Sequence, residues 1–195
     1  MAEKAALVVV DLQNDFMPGG ALGVPGGDEV LPVVNRYIEK FQAAGLPIYA
    51  TRDWHPPVTR HFREHGGVWP PHCVQGTRGA EFHPDLKLPA DAIVVSKGMD
   101  PTQDSYSCFD ALEADGTPLA ESLRRRGVER LYIGGLATDY CVRYSVMSAV
   151  KEGFRTTVLL DASRGVNLNP HDSEKAIEDM VRVGANVATI ERVTV

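Results

Sequence analysis

The 195-residue sequence predicts an α/β domain of three layers, α/β/α, built on a six-stranded, mainly parallel sheet. Three observations lead there. Six short apolar runs recur along the chain, most of them rich in β-branched residues. Helical periodicity or helix-ending glycines fill most of the intervals between them. No internal repeat or low-complexity linker divides the chain. Strand–helix alternation builds parallel sheets covered by helices on both faces. A chain of this length is expected to form one domain, since splitting sets in only beyond roughly 250 residues.

Each element has its own warrant. Ala6–Val10 (ALVVV) is apolar on both faces, as a buried strand is. Asp28 is read as the cap of a helix carrying Val30, Val33, Val34, Tyr37, Ile38 and Phe41 at helical spacing and stopped by Gly45. Pro47–Thr51 (PIYAT) and Ala92–Ser96 (AIVVS) give the second and third strands. Thr117 and Pro118 open a helix whose last turn is Arg124, Arg125 and Arg126 before Gly127, charges that suit a helix C-terminus. Arg130–Gly134 (RLYIG) and Thr156–Leu160 (TTVLL) are the fourth and fifth strands. Asn169 and Pro170 open a last helix closed by Gly184, and Asn186–Ile190 (NVATI) is the sixth strand.

Composition narrows the function. Hydrophobic residues make up 44% and charged residues 24%, the mix of a globular protein. The net charge is −6, with no basic block, which argues against nucleic acid or an anionic membrane as the main partner. The N-terminal apolar run is too short to span a membrane and lacks a cleavage pattern, so the cytoplasm is the expected compartment. Three widely spaced cysteines make no disulfide framework. In a reducing compartment they are free thiols, metal ligands or a nucleophile.

Ligands of open α/β sheets bind beyond the carboxyl ends of the strands. The first run ends in Asp11, the second runs into Asp53 and His55, the third ends at Lys97, and the fourth leads through GGLATDYC to Cys141. Taken singly, a cysteine early in a helix is a small buried hydrophobe and an acid at a strand end is a cap. Gathered on one rim, they form a nucleophile with helpers. A thiol must lose its proton to attack, and Lys97 and a helix N-terminus would favour the thiolate. Thr138 is a plausible cap for that helix, Asp11 a proton carrier, and the amides around Leu136–Cys141 a candidate oxyanion hole.

A long detour separates the second and third strands and holds five of the six histidines: His55, His61, His65, His72 and His83. Loops of this length without periodicity are uncommon unless functional. Asp53 and His55, two apart on an extended segment, share a face. A carboxylate with neutral imidazoles suits zinc, manganese or iron(II), with His72 as third ligand and His61 as fourth. The alternative is a polar loop whose histidines cap turns. Cys73 is left out, because adjacent residues seldom face one ion.

The motifs VVVDLQNDF, TRDWHPP, WPPHCVQGT, SKGMDPTQDSYSCF and GGLATDYCV occur in this order. Together they resemble those of the nicotinamidases within the isochorismatase-like cysteine hydrolase superfamily, over nearly the whole chain. The resemblance implies the isochorismatase-like hydrolase fold, as a single domain over 1–195 with a metal-site insertion at about 53–90. It implies a triad of Asp11, Lys97 and Cys141, and a cis peptide between Leu136 and Ala137 that aims the amides of Ala137 and Cys141 at an oxyanion. It places a divalent metal, zinc first, then manganese or iron, on Asp53, His55, His72 and His61. Phe16, Trp69, Tyr106 and Leu136 fall at substrate-binding positions. The implied activity is hydrolysis of nicotinamide to nicotinate and ammonia through a cysteine thioester, in pyridine-nucleotide (NAD) salvage. Pyrazinamide is a further implied substrate. The alternative is a related amidohydrolase acting on another amide or carbamoyl compound. A small molecule is the expected partner, and subunit number stays open, a homo-oligomer included. Cys108, where the family usually has a smaller residue, is read as a packing residue.

Overall fold

A computed structural model describes residues 4–195. Six strands form one sheet: β1 (Ala5–Val10), β2 (Ile48–Asp53), β3 (Ile93–Lys97), β4 (Arg130–Leu136), β5 (Arg155–Arg164) and β6 (Asn186–Ala188). Their order is β3-β2-β1-β4-β5-β6, and all five pairings are parallel. Four longer helices cover it: α1 (Val30–Ala43), α2 (Leu119–Arg125), α3 (Arg143–Lys151) and α4 (Asp172–Arg182).

The alternation along β1 explains the layers. Leu7 and Val9 point into a core shared with Val34, Tyr37, Ile38 and Phe41 of α1. Ala6, Val8 and Val10 point into the opposite core, with Leu119 and Leu123 of α2, Val146 of α3 and Met180 of α4. Burying each Val or Leu of β1 contributes about 1.5–3 kcal/mol, so the central strand is apolar on both faces. The strand order reverses direction at β1 and β4, and the crevice beyond their carboxyl ends is the topological switch point.

Several boundaries differ from the sequence expectation. Asp28 does not cap α1: it lies in a 3-10 turn (Gly27–Glu29) that runs straight into Val30, and no side chain caps the helix. β4 does not end at Gly134 but continues through Gly135 to Leu136. A Cβ at Gly135 would stand 2.1 Å from the Val10 carbonyl oxygen, so glycine lets β4 lie this close to β1. β5 extends to Arg164 because its second half is polar and escapes the hydrophobic pattern. Asp161 in that half accepts from the Tyr37 hydroxyl at 2.8 Å and from the Ile190 N–H at 2.9 Å. Ile190 is thereby drawn out of the sixth strand, which ends at Ala188. Among the described residues, no helix is long and apolar enough to cross a membrane.

Candidate active site

The four strands β3, β2, β1 and β4 are neighbours in the sheet, so the residues at their carboxyl ends meet. Asp53 and Lys97 are register partners, the last residues of β2 and β3. Asp11 follows β1 in a left-handed conformation, φ 52°. Lys97 Nζ lies 2.9 Å from Asp11 Oδ2 and 3.5 Å from Cys141 Sγ, and pairs with Asp53 Oδ1 as well. Thr51 Oγ1–H donates to Asp11 Oδ1 at 2.6 Å. Gln13 holds Asp53 from behind, accepting its N–H at 2.8 Å and donating to its carbonyl at 2.7 Å.

All four ionisable groups are buried. Burial alone would drive Lys97 neutral, but the carboxylates of Asp11 and Asp53 reverse this and hold the ammonium well above its ordinary range. Asp53 sits well below the usual carboxylate range: burial opposes ionisation, and Lys97, His55 and His72 outweigh it. Asp11 is raised, by burial first, with Lys97 opposing. Burial also pushes the Cys141 thiol well up; Lys97 lowers it only in part, since two carboxylates already face that ammonium. Burial thus works against the Cys141 thiolate and Lys97 works for it.

Cys141 sits in a single π-type turn, Thr138–Val142, followed directly by α3. Thr138 does not cap it with its side chain. The Leu136–Ala137 peptide is cis. The Ala137 carbonyl accepts the N–H groups of Tyr140 and Val142, both at 3.1 Å. Ala137 and Cys141 border the same pocket.

His55, His61 and His72 gather beside Asp53, with ligand nitrogens within 4.8 Å of one another. Each Nδ1 faces an oxygen that can only accept: Gly98 O at 3.0 Å, Asp104 Oδ1 at 2.6 Å and Pro70 O at 2.7 Å. In the neutral ring the proton sits on Nδ1, which leaves Nε2 a lone pair for a ligand bond. His55 Nε2 is buried without a hydrogen-bond partner. It lies 3.6 Å from Asp53 Oδ2, and His72 Nε2 lies 3.8 Å from the same oxygen. Three imidazoles, one with an orphaned nitrogen, beside a carboxylate fit a divalent cation. His65 is exposed and His83 serves a turn, accepting the Asp85 N–H, so neither joins the cluster. Cys73 packs into the apolar core.

Between cluster and thiol lies a pocket lined by Phe16, Trp69, Tyr106 and Leu136. Trp69 Nε1–H donates to the Tyr106 hydroxyl at 2.9 Å, and Phe16 meets His72 ring to ring at 5.5 Å.

The isochorismatase domain model matches residues 5–192. A nicotinamidase of Escherichia coli is 42% identical over 95% of this chain and 94% of its own. A pyrazinamidase of Pyrococcus horikoshii, solved in complex with zinc, superposes with a TM-score of 0.88 at 50% identity, covering 96% of this chain and 99% of that one. A protein of L. infantum, solved in complex with nicotinate, gives a TM-score of 0.87 at 34% identity over 98% and 95%. The chain belongs to the isochorismatase family.

In this isochorismatase-family chain some pocket residues had escaped the sequence reading. Tyr140 lines the pocket and packs edge-on against Trp69 at 5.0 Å. Its place one residue before Cys141 was the available signal. Leu22, Val24 and Val166 also line it, from loops whose glycines and polar residues hide them from any periodicity. Cys108 is fully buried, with its N–H bonded to Ser145 Oγ, as a packing residue is.

Proposed function

We propose that the chain is a nicotinamidase, hydrolysing nicotinamide to nicotinate and ammonia in NAD salvage. One observation carries the reading: a single aromatic-lined pocket is bordered by the Cys141 thiol and by His61 and His72, with Lys97 and Asp11 paired behind the thiol and His55 completing the histidine cluster. That arrangement suits a flat ring bearing a nitrogen on one side and a carboxamide on the other.

Asp53, His55, His61 and His72 would hold the cation, zinc first by donor type, with manganese or iron as alternatives. Bound there, the cation supplies a Lewis acid for the pyridine nitrogen. Phe16, Trp69, Tyr106 and Leu136 pack against the ring and fix its distance from sulfur. Asp11 takes the Cys141 proton as sulfur attacks the carboxamide carbon. Lys97 remains charged throughout and offsets the negative charge that moves between Asp11 and the sulfur. The amides of Ala137 and Cys141 receive the oxyanion. Collapse breaks the carbon–nitrogen bond, and Asp11 returns the proton to the departing nitrogen as ammonia leaves. Asp11 next removes a proton from water, which attacks the thioester. The acid leaves and ionises to nicotinate in water, its proton taken up by the released ammonia, and the proton on Asp11 goes back to the Cys141 thiolate.

The same reading makes 1–195 one domain with the metal-site insertion at about 53–90, working in the cytoplasm, with pyrazinamide as a second substrate. The test is turnover: cation-loaded protein is given nicotinamide, and ammonia and nicotinate are followed together. Cys141→Ala should lose turnover by about 10⁴-fold or more and still bind the cation. Absence of nicotinate from the loaded wild type would end the proposal.

A further inference from the structure

Asp139 lies two residues before Cys141, in the same turn, and takes no part in the chemistry above. Its side chain is buried, and both carboxylate oxygens face backbone donors of another segment. The Val166 N–H donates to Oδ1 at 2.9 Å and the Asn167 N–H to Oδ2 at 2.7 Å. That segment leaves the end of β5 and reaches α4, where Asn167 Oδ1 accepts the Ser173 N–H at 2.9 Å. Val166 lines the pocket together with Cys141, Leu136 and Ala137. One carboxylate thus joins the turn that carries the nucleophile to another part of the pocket wall.

We propose that Asp139 is a positioning residue that pins Val166 to the nucleophile's turn and so fixes the width of the substrate pocket. The proposal rests on the nicotinamidase reading only for what fills the pocket. Charge-assisted bonds to two successive N–H groups are stronger and more directional than neutral ones. Among the described residues the pairing of β5 with β4 ends at Arg164, and these two bonds tie residues 166 and 167 to the nucleophile's turn. With the clamp released, the wall moves without the thiol, and ring binding suffers before chemistry does.

Hydrogen exchange of the Val166 and Asn167 amides reads the clamp without substrate. In Asp139→Asn, which keeps one acceptor, and Asp139→Ala, which keeps none, exchange should quicken by about tenfold or more. KM for nicotinamide should rise about tenfold while kcat stays within about threefold. Cation affinity should not change, because Asp139 stands outside the histidine cluster; a merely structural lesion would lower it together with kcat. Val166→Ala should reproduce the rise in KM. Unchanged exchange in both Asp139 variants, or a loss confined to kcat, overturns the proposal. If neither Asp139 variant folds, Val166→Ala decides, and an unchanged KM overturns it. Failure of the wild type to hydrolyse nicotinamide would instead remove the functional reading, and the exchange measurement would still decide the clamp.

Discussion

Gly98→Ala tests how the histidine cluster is held. Gly98 follows Lys97 at the end of β3, with φ +70°. Its carbonyl accepts from His55 Nδ1 at 3.0 Å. A Cβ there would lie 2.5 Å from His55 Cε1 and 2.7 Å from Nδ1, against ordinary contact from 3.4 Å. The imidazole must retreat by about 0.9 Å, several times the ~0.2 Å tolerance of a metal–ligand bond. Alanine in the left-handed region also costs about 1–2 kcal/mol of stability. The two effects separate with Gly116→Ala, where φ is +86° and nothing lies within 4 Å of the new Cβ. Both variants should lose the backbone cost, and Gly98→Ala about 1–3 kcal/mol more for the clash, read from thermal unfolding of the cation-free proteins. Only Gly98→Ala should weaken cation binding, by about 100-fold, read by titration against a competing chelator. A folded Gly98→Ala protein that binds the cation as tightly as Gly116→Ala would refute the placement of His55.

Two further outcomes follow from neighbouring contacts. Asp104→Asn removes the charge that faces His61 Nδ1 at 2.6 Å and should weaken the cation about tenfold; unchanged affinity in the chelator titration would show His61 to be held without it. Burial pushes the Cys108 thiol up to about 12. Below about 8.5 both folded and unfolded chains keep that proton, and its contribution is fully present; above it only the unfolded chain releases the proton, so stability falls by about 1.4 kcal/mol per pH unit until the folded thiol titrates. Denaturant unfolding from pH 8 to 10 should therefore fall less steeply in Cys108→Ala, and equal slopes would contradict the shift.

The central strands were legible because β1 and β4 bury both faces and must be apolar throughout or nearly so. Asp11, Lys97 and Cys141 stood out because each breaks or follows such a run. What could not be read is where polar residues serve a strand or a turn. Asp161 and Ser163 lie in β5 and carry no alternation, while Asp28 and Thr138 have the composition of caps and cap nothing. The π-type turn also has no residue signature; it follows from five residues spanning the interval between Ala137 and α3. The acceptors behind the histidines were equally silent. Two of them are backbone carbonyls, of Gly98 and Pro70, and a carbonyl's use depends on chain path rather than side-chain identity. Asp53 was read as a ligand alone, although its register with Lys97 gives it a second charge to answer.

That double attachment sets an order in which this centre can decay over descent. Asp53 offers one oxygen to Lys97 and the other to His55 and His72. A lineage that sheds the histidines first leaves Asp53 still neutralising a buried ammonium, and the fold survives. A lineage that sheds Asp53 first leaves Lys97 with Asp11 alone and the histidines without their anion, a loss of several kcal/mol from one buried charge pair. Metal-free descendants of such an ancestor should therefore keep an acid at this strand end long after the imidazoles have gone.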